Sequence, residues 1–290
     1  KLYDYGNGDN AGMVRSLFPN SNALSETRLN KSLSEGNAFN GTGFIDVTFL
    51  KDFKFTFNGG VALDETRITS TRNPWFGQFA SEKGMVSKAH QRQFDVNLQQ
   101  ILNYTHQFDR HNVNVMIGHE SYSEKTYYLA AGKSHMLTQD NDELAGAIID
   151  TQNANSYRSE YFNEGYFSRV MYDFDNKYFF SGSFRRDASS RFHPKHRWGN
   201  FWSLGGAWIL NRENFLSSTY DWLDNLKLKA SIGSQGNDNI GNFRYTDTYT
   251  IENANGMVST VFNSKGSEKI TWETNTNINT GLEFSFLHGM

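Results

Sequence analysis

YFSRVMYDF (166–174) and KYFFSGSFRRDAS (177–189), separated only by Asp175-Asn176, decide the fold class. In the second run Tyr178, Phe180, Gly182 and Phe184 take one side of an extended chain, and Ser181, Ser183, Arg185 and Asp187 take the other. In the first run Val170, Tyr172 and Phe174 stand together against Arg169, Met171 and Asp173. A period of two marks a β-strand with one apolar and one polar face. Asp-Asn between two such runs reads as a tight hairpin turn, because both residues tolerate left-handed backbone.

The same alternation spreads in both directions. It appears in Ile45, Val47 and Phe49, in Phe53 to Leu63, in Phe94, Val96 and Leu98, and in Val113, Val115 and Ile117. It returns in Trp202, Leu204, Trp208 and Leu210, in Leu226, Leu228, Ala230 and Ile232, and in Ile278, Leu282, Phe284 and Phe286. This makes about nine strands of roughly 9–14 residues, longer than the usual 5–6. Ten residues at about 3.3 Å each, tilted by about 40°, give a height of about 25 Å, the apolar band of a membrane-spanning barrel.

The connections alternate in length. Lys51-Asp52, Asp109-Arg110 and Asp175-Asn176 are short, whereas 66–91, 122–159, 187–198 and 235–276 are long and polar. Short turns on one side and long loops on the other are the topology of a bacterial outer-membrane barrel. Aromatics near strand ends (Tyr104, Tyr122, Phe174, Tyr178, Trp198, Phe201, Trp208 and Trp272) suit interfacial girdles. The expected fold class is all-β, an antiparallel β-meander forming part of a large transmembrane outer-membrane β-barrel.

Composition narrows the alternatives. The chain has 290 residues, a net charge of −3 and no cysteine. That balance lacks the electrostatic footprint of a nucleic-acid binder, and the missing thiols exclude disulfide scaffolds and cysteine nucleophiles. Aromatics reach 15% while the mean hydropathy is −0.64, so the chain is polar on average yet rich in large rings. The longest nearly apolar run, Leu204 to Leu210, is far short of the about 20 residues of a spanning helix. The first ten residues, KLYDYGNGDN, have no pattern of a leader peptide. An odd set of about nine strands would leave edge amides unpaired in hydrocarbon. Residues 1–290 are therefore expected to be one partial barrel, truncated at both ends.

Four stretches carry a family resemblance: GYFSRVMYDFDNKYFFSGSFRRDASSRF (165–192), RWGNFWSLGGAWILNRENF (197–215), WLDNLKLKASIGSQGNDNIGNFRY (222–245) and ITWETNTNINTGLEFSFLHGM (270–290). In this order and spacing they resemble the SusC/RagA-type TonB-dependent outer-membrane transporters. FIDVTFLKDFKFTFNGGVALDE (44–65) and NYTHQFDRHNVNVMIGHE (103–120) resemble earlier strand pairs of the family more loosely. Ala188 stands where the family usually has glycine, and Phe201-Trp202-Ser203 where it often has Phe-Pro-Ser. The resemblance implies a middle-to-late portion of a plugged barrel of about 22 strands. It implies import of oligosaccharides or peptides, energy from the TonB complex through a plug and TonB box not found in these residues, and a SusD-like surface lipoprotein as partner, with outer-membrane lipid around the wall. It implies neither enzyme activity nor a cofactor. A smaller outer-membrane barrel acting as enzyme or adhesin, and a soluble carbohydrate-binding β-domain, remain the rival readings.

Candidate sites follow from residue chemistry. Arg185, Arg186, Asp187 and Arg191 crowd one strand end, as a lumen- or plug-facing charged cluster or as a structural ion-pair network. Trp75, Phe76 and Phe79, beside Asn73 and Gln78, are exposed loop aromatics of the kind that stack on sugar rings, and Tyr127, Tyr128 and Trp272 join them as possible ligand contacts. No metal site is expected: His193-Pro194-Lys195-His196 lacks a third ligand, and His106, His111 and His119 do not converge. Asp140-Asn141-Asp142-Glu143 fails the EF-hand spacing and reads as a solvated acidic turn. Gly233 to Asp238 lacks the Gly-Lys-Ser/Thr of a phosphate loop and reads as strand-end geometry. No Gly-x-Ser-x-Gly elbow occurs.

Overall fold

Alternating side chains need a ladder partner, and the chain supplies one strand after another. A computed structural model of the chain describes residues 27–75, 79–151, 154–219 and 222–286. They form β1 (Lys31–Phe49), β2 (Phe53–Arg72), β3 (Met85–Phe108), β4 (His111–Met136), β5 (Ala147–Asp150), β6 (Asn155–Phe174), β7 (Tyr178–Ser189) and β8 (Trp198–Ile209). β9 (Leu223–Asn237), β10 (Thr248–Ala254), β11 (Met257–Ser264) and β12 (Glu273–Phe286) follow. The main sheet runs β1-β2-β3-β4-β6-β7-β8-β9-β12, a meander. β5 adds to β4, and β10 and β11 pair with each other in a separate hairpin.

The strands are longer than their sequence signal. β3 has 24 residues and β4 has 26, so much of 66–91 and 122–159 is strand rather than loop. Period-two hydrophobicity exists only where the two faces meet different media. Segments such as Ile68-Thr69-Ser70-Thr71 keep β-branched residues suited to a ladder but lose the apolar face. The pairing therefore continues where the amphipathic signal stops.

The short turns obey backbone sterics. Asp175 and Asn176 have φ of 57° and 51°, and Lys177 N–H donates to the Phe174 carbonyl at 2.9 Å around them. Two successive positive φ values define a type I′ turn, whose twist matches that of the strands it joins. In the first hairpin the positive-φ pair is Leu50 and Lys51, one residue earlier than the expected Lys51-Asp52. Asp52 is thereby freed to bind His106 Nδ1 at 2.8 Å. Neighbouring turns are tied: Asp175 N–H donates to the Arg110 carbonyl at 2.7 Å, and Arg110 grips the Asp175 carboxylate with two nitrogens, Nε reaching Oδ1 at 3.0 Å.

The chain divides into two compact units. The first comprises Lys1–Gly41, Ala62–Asp95 and Glu124–Glu160. Its core is Val86, Met136 and Ala147, with Leu144 against them. The second comprises Thr42–Val61, Val96–Ser123 and Tyr161–Met290. Register in the second unit places its outward apolar residues in rows. Phe174, Tyr178, Trp208 and Leu228 form the row nearest the short turns. Tyr172, Phe180, Gly206 and Ala230 come next, then Val170, Gly182, Leu204 and Ile232. Ser168, Phe184 and Trp202 follow, then Tyr166, Arg186 and Asn200, and finally Glu164, Ala188 and Trp198.

These residues are apolar but not covered. Phe180 is 49% and Leu204 47% exposed, as are many like them, over an area far beyond an ordinary surface patch. Rings bound the band. At the turn end Phe49 stacks near Phe53, Phe53 near Tyr104, His111 against Phe174, and Tyr178 against Trp208. At the other end His119, Tyr166 and Trp198 lie in sequence at 4.8 and 6.1 Å. From Trp208 to Trp198 a strand at about 3.3 Å per residue rises about 33 Å, or about 25 Å in height at a tilt of about 40°. That is the apolar thickness of a barrel wall in lipid. Among the described residues no helix is long and apolar enough to cross a membrane.

Two outcomes test this face assignment. Leu204→Arg, in the middle of the band, should cost about 2–4 kcal/mol of stability in lipid vesicles, whereas Ser203→Arg on the opposite face should cost less than about 1 kcal/mol. Urea unfolding of the two variants reads the difference directly. The turn clamp has a pH signature. The hydrogen bond from Arg110 holds the Asp175 carboxyl below the usual carboxylate range. Its contribution is then present above the unfolded value, about 3.9, and fades as pH falls through the lowered folded value. The stability gap between wild type and Asp175→Asn should be constant near neutral pH and close in strong acid.

Candidate functional site

The polar face of the second unit carries a chain of side-chain bonds that crosses several strands. Asn58 on β2 meets Gln99 on β3 at 3.4 Å, and Gln99 Nε2 donates to Glu120 Oε1 on β4 at 2.8 Å. Arg185 Nη2 on β7 donates to Glu120 Oε2 at 2.7 Å, and its Nε donates to both oxygens of Asp187 at 2.8 Å. β6 lies between β4 and β7, so Arg185 must reach across it. Gly165 makes the passage possible: a Cβ there would sit 2.8 Å from Arg185 Nη2 and 2.3 Å from Asp187 Oδ1. The guanidinium also lies 5.4 Å from the Phe167 ring centroid.

A second knot gathers around Asp238, just beyond β9. Its Oδ2 accepts from Tyr161 Oη at 2.8 Å and from Ser189 Oγ at 2.6 Å. Arg191 donates through Nη1 to the Asp238 carbonyl at 3.2 Å and lies 4.4 Å from the Tyr161 ring centroid. Asp187 is 6% exposed and Ser189 is fully buried. These charges are paired within the protein, three carboxylates against two guanidiniums. Desolvated carboxylates need such donors, and removing one donor strands the partner's charge. A concavity of about 550 Å³ opens elsewhere on this face, with Met171, Phe179 and Ala207 apolar among polar Asn112, Ser231 and Asn279.

The expected cluster of four does not stay together. Arg185, Asp187 and Arg191 lie in the two knots, but Arg186 is on the opposite face of β7, over the Trp198 ring at 5.1 Å. Strand alternation is the reason: neighbouring residues point to opposite sides. Glu120, Gln99, Tyr161, Ser189 and Asp238 belong to the network and were not among the sequence candidates. Glu120 and Gln99 lie on the polar parity of recognised strands, so parity was the available signal. Asp238 comes to Tyr161 only through tertiary contact.

The aromatic candidates separate in the same way. Trp75 is 62% exposed, with Nε1–H donating to Gln139 Oε1 at 3.0 Å and its backbone N–H to Asn73 Oδ1 at 3.1 Å. Asn73 is itself buried and bonded to Asn30, which fixes the loop beneath the ring. Phe79 is half-buried beside Arg72, 5.6 Å from its ring centroid. Phe76 lies outside the described residues. Tyr127 and Tyr128 are in β4 rather than in a loop, because the ladder extends past the amphipathic stretch. They point to opposite faces: Tyr128 stacks on Tyr157 at 5.1 Å, and Tyr127 lies near Arg158. Trp272 wedges between Phe192 and Phe201 and donates Nε1–H to the Arg197 carbonyl at 2.8 Å, a packing role.

The acidic turn is charge-paired rather than merely solvated. Lys31 Nζ is 2.5 Å from Asp142 and Lys88 Nζ 2.5 Å from Glu143. The Lys31 hydrogen bond holds the Asp142 carboxyl below its usual range. Among the described residues no group of three His, Asp or Glu could hold a metal ion.

The network predicts coupling. A double-mutant cycle on Glu120→Gln and Arg185→Gln should give an interaction energy of about 1–3 kcal/mol in urea unfolding, well above that of an exposed pair.

No family model matches the chain. The chain is 28% identical over 286 residues to the TonB-dependent receptor SusC of Bacteroides thetaiotaomicron, covering 93% of this chain and 28% of that protein. It is 26% identical over 241 residues to TonB-dependent receptor P3 of Formosa agariphila, covering 80% of this chain and 23% of that one. The chain thus spans about a quarter of the length of these relatives. Among solved structures, the RagAB peptide transporter superposes with a TM-score of 0.87 at 23% identity, over 96% of this chain and 31% of that one. The open-open state of the RagAB peptide importer gives 0.84 over the same shares. The girdle-bounded strands, the ordered sequence stretches and these likenesses together make the chain similar in sequence to TonB-dependent receptors such as SusC, and similar in fold to a stretch of the RagAB β-barrel wall.

Proposed function

We propose that this wall is part of a multi-pass outer-membrane importer for oligosaccharides or peptides, driven by the TonB complex through a plug and TonB box and capped by a SusD-like surface lipoprotein. Residues 1–290 contribute one partial barrel to it. The observation that carries the reading is the pairing of a girdle-bounded apolar face with a charged, internally bonded face on strands that align with SusC over 93% of the chain. Lipid on one side and an aqueous or plug-filled interior on the other would each select one of these faces.

Within that role Arg185, Asp187 and Arg191 line the interior and set the wall's charge where a plug or polar cargo passes. Trp75 and Phe79 are the best-placed loop rings for cargo, since Trp75 is exposed on a rigid amide support. Tyr128 with Tyr157 offers a second stacking surface. Rings of this kind bind the apolar faces of sugars or the side chains of peptides.

The test is growth on defined nutrients. Deleting the gene should abolish growth on one class, supplied either as a panel of oligosaccharides or as a panel of peptides as sole carbon source, and loss of TonB should give the same defect. Trp75→Ala should slow that growth by roughly twofold to tenfold, in line with about 1 kcal/mol of lost stacking. Unchanged growth of the deletion strain on every panel member would overturn the importer reading.

A further inference from the structure

The outward row that ends the apolar band contains a cation without an anion. Arg186 is exposed and shares its row with Tyr166 on β6 and Asn200 on β8. The rows on its turn side are Phe184 with Trp202, then Gly182 with Leu204, all on the apolar face. The row beyond it holds Trp198, and the Arg186 guanidinium lies over that ring at 5.1 Å. The side chain therefore bends away from the apolar band and toward the long-loop end. A charged group at the edge of hydrocarbon behaves in this way, keeping its stem in the apolar layer and its head in the polar one.

Charge pairing distinguishes Arg186 from its neighbours. Arg185, one residue earlier, is held by two carboxylates, and Arg191 by Asp238. Arg186 makes no ion pair among the described residues. The nearest outward carboxylate in register, Glu164, is engaged by Tyr166 Oη at 2.8 Å and faces His119 Nε2 at 3.3 Å. A fork of guanidinium donors, with Asn200 its partner in register and the indole of Trp198 beneath, is thus presented outward at the depth where the apolar rows end. Guanidinium groups match phosphate oxygens in geometry as well as charge.

We infer that Arg186, with Asn200 and Trp198, binds a phosphate of an outer-leaflet glycolipid of the lipopolysaccharide class. The inference rests on the outer-membrane reading above, which puts the long-loop end of the band at the outer leaflet. It adds a lipid-recognition site on the outside of the wall, apart from any path through its interior. Its ligand is a headgroup phosphate held in place by acyl chains on the apolar rows, not a free anion.

The test uses the native protein purified from its own membrane in mild detergent. Thermal unfolding is followed while titrating bis-phosphorylated lipid A, its phosphate-free counterpart, or inorganic phosphate at equal concentration. Bis-phosphorylated lipid A should raise the midpoint most. Arg186→Gln should weaken that response about fivefold, in line with about 1 kcal/mol for a cation at a charged lipid surface, and leave the response to the phosphate-free lipid unchanged. Arg186→Lys should retain part of the response. Identical titrations for wild type and Arg186→Gln would overturn the inference, as would an equal shift with inorganic phosphate alone. Membrane fractionation separates the two readings. If both forms reach the outer membrane and titrate alike, only the lipid site fails. If the wild-type protein is absent from the outer membrane, the importer reading fails first and the site with it.

Discussion

Backbone amides and carbonyls have no partner in hydrocarbon, and every other feature of this chain follows from that constraint. A strand in lipid must be bonded on both sides, so strands come in series, each paired to the next. β1 and β12 end the order of the main sheet, each with one ladder side unpaired among the described residues. Side chains then divide by parity, apolar residues toward lipid and polar ones away. The usual core of a globular domain is correspondingly small: Val86, Met136 and Ala147 in one unit, and a few residues such as Phe192 and Phe201 in the other. Stability resides in ladder bonds and in cross-strand rows rather than in a buried apolar centre.

Parity also organises the charge. Arg185 and Arg186 are neighbours in sequence with opposite surroundings. One is paired with two carboxylates and reaches across β6 through the gap left by Gly165. The other has only a ring beneath it and faces outward. Adjacent identical residues therefore perform different physical work, one locking strands together and the other meeting the surroundings.

The fold class and the short turns were legible in the residues. Phe180, Phe184, Trp202 and Leu204 announce an apolar face, and Asp175-Asn176 announces a reversal, because both signals are local. Strand length was not. Beyond the band the residues of β3 and β4 no longer alternate apolar with polar, so the signal that marks a strand vanishes while its ladder goes on. Tyr127 and Tyr128 were read as loop residues for that reason.

The sequence by itself determined the alternating strands, the turn positions to within one residue and the resemblance to SusC-type receptors, since each depends on neighbouring residues or on the order of motifs. Tertiary structure decided which charged and aromatic residues meet. Glu120 with Arg185, Tyr161 with Asp238, and Trp272 with Phe192 and Phe201 are far apart in the chain. Such contacts depend on register and on the path of the long connections, and a linear pattern records neither.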